Sequence, residues 1–168
     1  MALKTIDIEL ALFKEFDFRK KLIITNITPL SRMLKFECDL LVLSESNFAT
    51  GFEIKISASD LKNDLKKKHI YQLNENKEKC QRKYFNKFKY FNYVVPLHLE
   101  KKALEQIPDF CGLYIYDQKQ PKKRQLYCVK KPSKIFNYKW TDNEKYNIAR
   151  LGTMRIFSLK NKIKNLTS

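Results

Sequence analysis

Glycine, histidine and long apolar runs are scarce in this sequence, and each scarcity excludes a class of protein. Only three of the 168 residues are glycine, so the chain has no glycine-rich loop of the kind that cradles nucleotide phosphates. The two histidines and four widely spaced cysteines do not form paired zinc knuckles. No apolar run is long enough to span a bilayer, and the N-terminus lacks the charged start and apolar core of a signal peptide. We therefore expect a cytoplasmic protein with no zinc site and no membrane span.

Positive charge, by contrast, is abundant. The 34 lysines and arginines outnumber the 18 acidic residues, which gives a formal net charge of +16 and an isoelectric point of about 9.7. This charge exceeds what solubility requires and favours a polyanionic partner. The lysines are spread along most of the chain rather than concentrated in one amphipathic segment, which favours nucleic acid over a membrane surface. DNA is the expected partner, with RNA as an alternative.

The periodicity of the apolar residues predicts alternating helices and strands in one domain over residues 1–160, followed by a basic C-terminal tail over 161–168. Helices are predicted over 5–16, 57–69, 100–107 and 141–159, and strands over 22–27, 36–43, 51–56, 90–95, 110–116 and 125–129. Short links between the first three strands favour a meander. The expected fold is α/β, with a mixed central β-sheet flanked by helices.

The first predicted helix contains an acid on its inward face. Ile6, Leu10 and Phe13 recur at helical spacing and predict that face. Glu9 lies three residues after Ile6 and four before Phe13, so it shares the same side. A carboxylate that points inward needs a partner. That partner is either one of the many basic residues or a cation.

Two predicted strands between residues 36 and 56 carry the charged residues of greatest interest. Because side chains alternate along a strand, Glu53 and Lys55 project from one face of the predicted strand, and its apolar residues project from the other face. If the strand that contains Asp39 pairs with this strand, two carboxylates and an ammonium converge. The Glu-x-Lys triplet also occurs at 75–77 and 100–102, but in polar surroundings. The strand context is what distinguishes the triplet at 53–55.

This arrangement resembles the PD-(D/E)xK nuclease superfamily, whose members place an aspartate on one strand and Glu-x-Lys on the next. The family core of a helix, a three-strand meander, a helix and a further strand follows the same order as residues 5–95. The run from Glu53 to Asp60 is similar to the small DNA-repair members, and the resemblance extends over roughly residues 5–160. Cys38 stands where the motif has its proline, a position at which the superfamily often has another residue. The resemblance implies a restriction-endonuclease-like core.

The resemblance also implies roles for individual residues. Asp39 and Glu53 would bind Mg²⁺, or Mn²⁺, together with the carbonyl oxygen of Ile54, and Glu9 would add an acid that some members contribute from the first helix. Lys55 would orient or activate the attacking water and offset charge on the phosphate. Asp39, Glu53 and Lys55 would then be the catalytic residues of a metal-dependent endonuclease or exonuclease that cleaves DNA.

The predicted helix after the motif begins beside these residues and is rich in lysine. Its lysines would contact phosphates or form a solvated face, and the sequence favours neither. The candidate nucleic-acid-binding residues on and after this helix are Lys62, Lys66, Lys68, His69 and Gln72. Aromatic residues that follow, Tyr84, Phe85 and Phe88, would stack on unpaired bases or, more commonly for aromatics near a strand, enter the core.

Two other functions are compatible with the same residues. One is a nucleic-acid-binding protein of the same fold that does not cleave. The other is a basic structural or assembly protein, in which Asp39, Glu53 and Lys55 form an ordinary cross-strand set of salt bridges. Edge strands and a basic surface would also allow a homodimer that cuts two strands.

Overall fold

The computed structural model describes residues 3–27, 34–65 and 85–167. Within these ranges the helices are α1 (Thr5–Glu15), α2 (Ala58–Leu65), α3 (Glu100–Gln106) and α4 (Asp142–Thr167). The strands are β1 (Leu22–Ile27), β2 (Cys38–Leu43), β3 (Ala49–Ile54), β4 (Tyr90–Pro96), β5 (Gly112–Tyr116) and β6 (Leu126–Lys130). A 3₁₀ turn, Leu97–Leu99, leads into α3.

These strands form one mixed sheet in the order β1-β2-β3-β4-β5-β6. The first three make the predicted antiparallel meander, β4 and β5 run parallel to β3, and β6 returns antiparallel. Parallel neighbours need crossover connections, and α2 and α3 lie in the two crossovers. The predicted α/β fold with a mixed sheet flanked by helices is confirmed, and no strand end differs from its prediction by more than two residues.

Apolar side chains cover both faces of the sheet. On one face, Ile8 and Leu12 of α1 pack with Phe52 and Ile54 of β3. On the other face, the core includes Phe85, Phe88, Trp140 and Ile148 together with residues of β2, β4 and β5. Phe85 and Phe88 are therefore core residues rather than a stacking surface for bases, whereas Tyr84 lies outside the described residues.

The inward face of α1 differs from the predicted one. Ile8 and Leu12 are fully buried, whereas Ile6 and Leu10 are about half exposed. Both pairs have helical spacing, so the sequence periodicity is compatible with either face of α1. Packing against the sheet buries the face that carries Ile8 and Leu12. Glu9 directly follows Ile8 and is partly buried.

The C-terminal helix is longer than predicted. Its first turn carries a capping box, in which the Glu144 N–H donates to Thr141 Oγ1 (3.3 Å) and the Thr141 N–H donates to Glu144 Oε2 (2.8 Å). Residues 161–167, expected to form a tail, continue α4 because neither proline nor glycine interrupts the chain after Gly152. Despite its length, α4 is not apolar enough to cross a membrane, and neither is any other described helix.

Candidate functional site

Strand pairing brings Asp39 and Glu53 together. β2 and β3 pair antiparallel with Leu40 opposite Phe52. Asp39 directly precedes Leu40, just beyond the last pair of this register, and its charge acts on the carboxyl group of Glu53 and raises the pKa of that group. Asp39 Oδ2 accepts a hydrogen bond from the Ile54 backbone N–H at 2.7 Å. The acid of the second strand therefore meets the acid of the third, as the sequence predicted.

Lys55 lies among carboxylates at the end of β3. Its Nζ is 2.7 Å from Glu53 Oε1, and both residues are only 5% exposed. The same Nζ is 3.3 Å from Asp64 Oδ1 and 3.7 Å from Asp60 Oδ1. The Lys55 backbone N–H donates to the Val94 carbonyl at 3.0 Å, which holds this end of β3 against β4.

Helix α2 supplies two acids that reach Lys55. Ser57 caps the helix, because its Oγ accepts the Asp60 N–H at 3.1 Å. One turn later Asp64 is buried, and its Oδ2 accepts a hydrogen bond from the Tyr93 hydroxyl at 3.0 Å. Sequence reasoning missed Asp64 and Tyr93. A signal was present, since Asp64 lies three residues after Leu61, on the inner side of the helix.

The burial of this cluster shifts the pKa values of its members. Burial raises the pKa of Glu53 well above its usual value, and Asp39 and Asp64 raise it further against the opposing effect of Lys55. Burial by itself would lower the pKa of Lys55, but Glu53 and Asp64 bring that pKa above its usual value. Lys55 is therefore an ammonium at neutral pH. Among these four side chains, carboxyl groups outnumber ammonium groups, which favours the binding of a further cation.

Glu9 approaches the same cluster from α1. Burial and the nearby charge of Asp39 raise the pKa of Glu9, while Arg155 of α4 acts in the opposite direction. Glu9 thus lies within electrostatic range of both residues. Helix α1 therefore directs the Glu9 carboxylate toward Asp39. The basic residue near Glu9 is Arg155, which belongs to the last helix.

The donor atoms of this site are of the type that Mg²⁺ prefers. Mg²⁺ usually binds to one or two protein carboxylates and completes its octahedron with waters and phosphate oxygens. Asp39 and Glu53 provide such a pair, so the chemistry of the donors fits the ion. The residues described by the structure contain no group of three or more acidic, histidine or cysteine side chains arranged around a metal position. For Ile54 the structure shows the amide in contact with Asp39, and the role of its carbonyl stays a prediction.

One candidate nucleic-acid-binding residue can be located. Lys62 is exposed on α2, on the same helix as Asp60 and Asp64. The other four candidates, Lys66, Lys68, His69 and Gln72, lie outside the described residues. Exposure of Lys62 is compatible with a phosphate contact and with a solvated face, so both predictions stand.

Comparisons with known proteins concern the fold only. No family model and no curated protein sequence matches this chain. Among solved structures, the SPO1766 protein of unknown function from Silicibacter pomeroyi is similar, with a TM-score of 0.61 and 12% sequence identity. The similarity covers 100% of this chain and 97% of that chain. It supports the α/β architecture over the whole length and carries no information about activity.

Proposed function

We propose that this protein is a Mg²⁺-dependent nuclease that hydrolyses phosphodiester bonds in DNA. One observation carries the proposal: Asp39 Oδ2 accepts a hydrogen bond from the Ile54 N–H, next to Glu53, and the Lys55 ammonium is 2.7 Å from the Glu53 carboxylate. Two carboxylates able to share a divalent cation beside a fixed positive charge are what metal-assisted phosphodiester hydrolysis requires. The net charge of +16 would attract the anionic substrate.

The pKa of Lys55 limits the role that this residue can take. Asp39 and Glu53 would hold Mg²⁺, which when bound would polarise the phosphate and lower the pKa of a coordinated water. Because its carboxylate neighbours raise the pKa of Lys55, this side chain keeps its proton at neutral pH. Lys55 would therefore stabilise negative charge on the phosphate and orient the water, rather than accept a proton. Asp64 would position the ammonium through the contact at 3.3 Å.

One observation favours a second candidate, a nucleic-acid-binding protein that does not cleave. Glu53 and Lys55 pair with each other and are each 5% exposed, so the charged cluster would serve the fold alone. Under this alternative the basic surface still binds nucleic acid, but no divalent cation is required. A basic structural or assembly protein would lack nucleic-acid binding as well.

Metal binding separates these candidates. We expect calorimetric titration to detect Mg²⁺ or Mn²⁺ binding by the wild type and its loss in Asp39→Ala and Glu53→Ala, because each variant removes one of two carboxylate ligands. Glu45→Ala is the matched control, since Glu45 is an exposed acid in the β2–β3 turn at the other end of the paired strands. Equal binding by the wild type and both site variants would contradict the proposed site.

Cleavage tests the catalytic role directly. The wild type should cleave at least one of single-stranded, duplex or branched DNA when Mg²⁺ is present and none when the metal is chelated. Lys55→Ala should lower the cleavage rate roughly 100-fold or more, as expected for removal of a fixed charge at a reacting phosphate. Lys101→Ala removes an exposed lysine on α3 and should cleave normally. Absence of metal-dependent cleavage by the wild type on all three substrates would leave the binding protein as the better candidate.

A further inference from the structure

Arg155 of α4 lies where that helix crosses the end of β1. Gly152, one turn earlier, lets the helix approach closely, because a Cβ at that position would be 2.7 Å from Ile24 Cδ1. With the helix held at this distance, Arg155 Nη2 donates a hydrogen bond to the backbone carbonyl of Asn26. The guanidinium is therefore fixed to β1, although it belongs to the last element of the chain.

The carbonyl that holds Arg155 belongs to an irregular residue. Asn26 has a left-handed backbone (φ 52°) inside β1, whereas the two other described non-glycine residues with positive φ lie in turns or bends. Asparagine tolerates this conformation better than most residues. Ile24 and Ile27 enter the same core cluster despite their odd spacing, because Asn26 interrupts the alternation of side chains between them.

This irregularity lies directly beside Asp39. β1 pairs with β2 so that Thr25 is opposite Leu40 and Ile27 is opposite Cys38. Asn26 therefore occupies the position across from Asp39. A departure from regular strand geometry next to a candidate catalytic carboxylate is the kind of feature that accompanies functional sites. Here the irregular residue supplies the carbonyl that holds Arg155, on the strand beside Asp39.

Arg155 belongs to the accessible end of the site. Glu9, Asp39 and Arg155 are each partly exposed, whereas Glu53 and Lys55 are nearly buried. A substrate would have to approach from the partly exposed end, and Arg155 is a cation at that end.

Arg155 also has a hydrogen-bond donor to spare. Its Nη1 is buried and has no hydrogen-bond partner among the residues that the structure describes. A shift of this partly exposed side chain toward a bound phosphate would exchange the Asn26 contact of the guanidinium for contacts with the phosphate oxygens. The planar guanidinium matches the oxygens of a phosphate, to which arginine binds through two parallel hydrogen bonds.

We propose that Arg155 binds a non-bridging oxygen of the nucleic-acid phosphate at the accessible end of the site. The identity of the ligand rests on the proposed function, whereas the binding itself does not require cleavage. Arg155 is then a substrate-binding residue supplied by α4, and the left-handed Asn26 positions it. The sequence contains no motif that indicates this role, because Asn26 and Arg155 are separated by most of the chain.

Binding measured without metal tests the proposal. Fluorescence anisotropy with a labelled DNA oligonucleotide in the presence of a chelator would compare the wild type with Arg155→Gln and Arg150→Gln. Glutamine at 155 retains a donor for the Asn26 carbonyl but has no charge. Arg150 is an exposed arginine of the same helix, so its variant loses the same charge at another place.

We expect Arg155→Gln to weaken binding roughly tenfold or more, the usual result of losing a charged hydrogen bond. The slope of log affinity against log salt should fall by about 0.7 to 0.9, which corresponds to one phosphate contact. Arg150→Gln should change affinity much less. Equal effects of the two variants would overturn the proposal. So would a lower melting temperature of Arg155→Gln with unchanged affinity, because that result would assign Arg155 a purely structural role.

The same variants separate this proposal from the proposed function. If the wild type cleaves DNA and Arg155→Gln cleaves with unchanged kcat and KM, the role of Arg155 is refuted and the nuclease stands. If the wild type cleaves nothing but Arg155→Gln loses affinity as expected, the nuclease is refuted and the phosphate contact stands. Arg155→Lys covers a folding failure of the glutamine variant, because lysine keeps the charge but not the paired donors. We expect its affinity to fall below those of the wild type and of Arg150→Gln, and an affinity equal to that of the wild type would contradict the proposal.

Discussion

Glu53 is a carboxyl group held where its charged form is disfavoured. Burial, Asp39 and Asp64 all raise its pKa, and the ion pair with Lys55 compensates only in part. The folded protein thus maintains a local electrostatic cost at the residue that would carry the chemistry. Such a cost is characteristic of sites at which stability has been exchanged for function.

The raised pKa predicts how stability depends on pH. In the unfolded chain a glutamate has a pKa near 4.5, and in the folded protein the pKa of Glu53 is higher. Between these two values the folded state binds more protons, so the free energy of unfolding falls as the pH rises through that interval. Glu53→Gln stays neutral and avoids this loss. We expect the variant to be more stable than the wild type at neutral pH.

Denaturant unfolding across a range of pH would measure this difference. The advantage of Glu53→Gln should disappear as the pH falls below the unfolded-state pKa, where Glu53 is protonated in both states. Glu45→Gln, at an exposed position, controls for the loss of a negative charge and should show no such trend. A Glu53→Gln variant that is less stable than the wild type at neutral pH would show that the Lys55 ion pair outweighs the burial of the carboxylate.

At the scale of elements, α4 consists of two halves with different surroundings. Ile148 in the first half is fully buried and Trp140, just before the helix, is 2% exposed. In the second half the large apolar side chains are more than half exposed: Met154, Ile156, Phe157, Leu159, Ile163 and Leu166. The first half therefore holds α4 against the core, and the second half begins near the Arg155 contact with β1 and extends beyond it.

A pair of identical substitutions tests this division of α4. Ile148→Ala should lower the free energy of unfolding by about 2 to 5 kcal/mol, because it leaves a cavity in the core. Ile156→Ala on the same helix should change it by about 0.5 kcal/mol or less, since Ile156 is 58% exposed. Chemical denaturation monitored by circular dichroism gives both values. Similar losses for the two variants would mean that the second half of α4 is covered in solution.

At the scale of the whole molecule, charge is the dominant property. A net charge of +16 on 168 residues creates a positive potential over the surface, whatever the chemistry at Asp39 and Glu53. Binding to nucleic acid would release counterions from the phosphates, so affinity should depend strongly on salt.

We expect the affinity for duplex DNA to fall steeply as the salt concentration rises. With about five phosphate contacts, the plot of log affinity against log salt should have a slope of about −4 to −5. Titrations by fluorescence anisotropy at several salt concentrations provide this slope. An uncharged peptide nucleic acid of the same sequence is the control and should bind weakly at every concentration. A shallow slope for DNA would count against a nucleic-acid partner.

The sequence by itself determined the elements and their order. The positions of the strands followed from the alternation of apolar residues and from short turns, and these signals are local. The same local signals placed Asp39 and Glu53 on consecutive strands, so their approach required only that the two strands form a hairpin. They also placed Lys55 beside Glu53, because residues two apart share a face of a strand.

Only the tertiary structure decided the rest of the site. Asp64 meets Lys55 and Tyr93 because a helix folds back over the end of the sheet, and Arg155 reaches Asn26 across most of the chain. Packing also selected Ile8 and Leu12 as the inward face of α1, where periodicity allowed another choice. The physical reason is the range of the forces involved. Backbone preferences act between near neighbours in sequence, whereas burial and the pairing of charges depend on which distant elements come into contact.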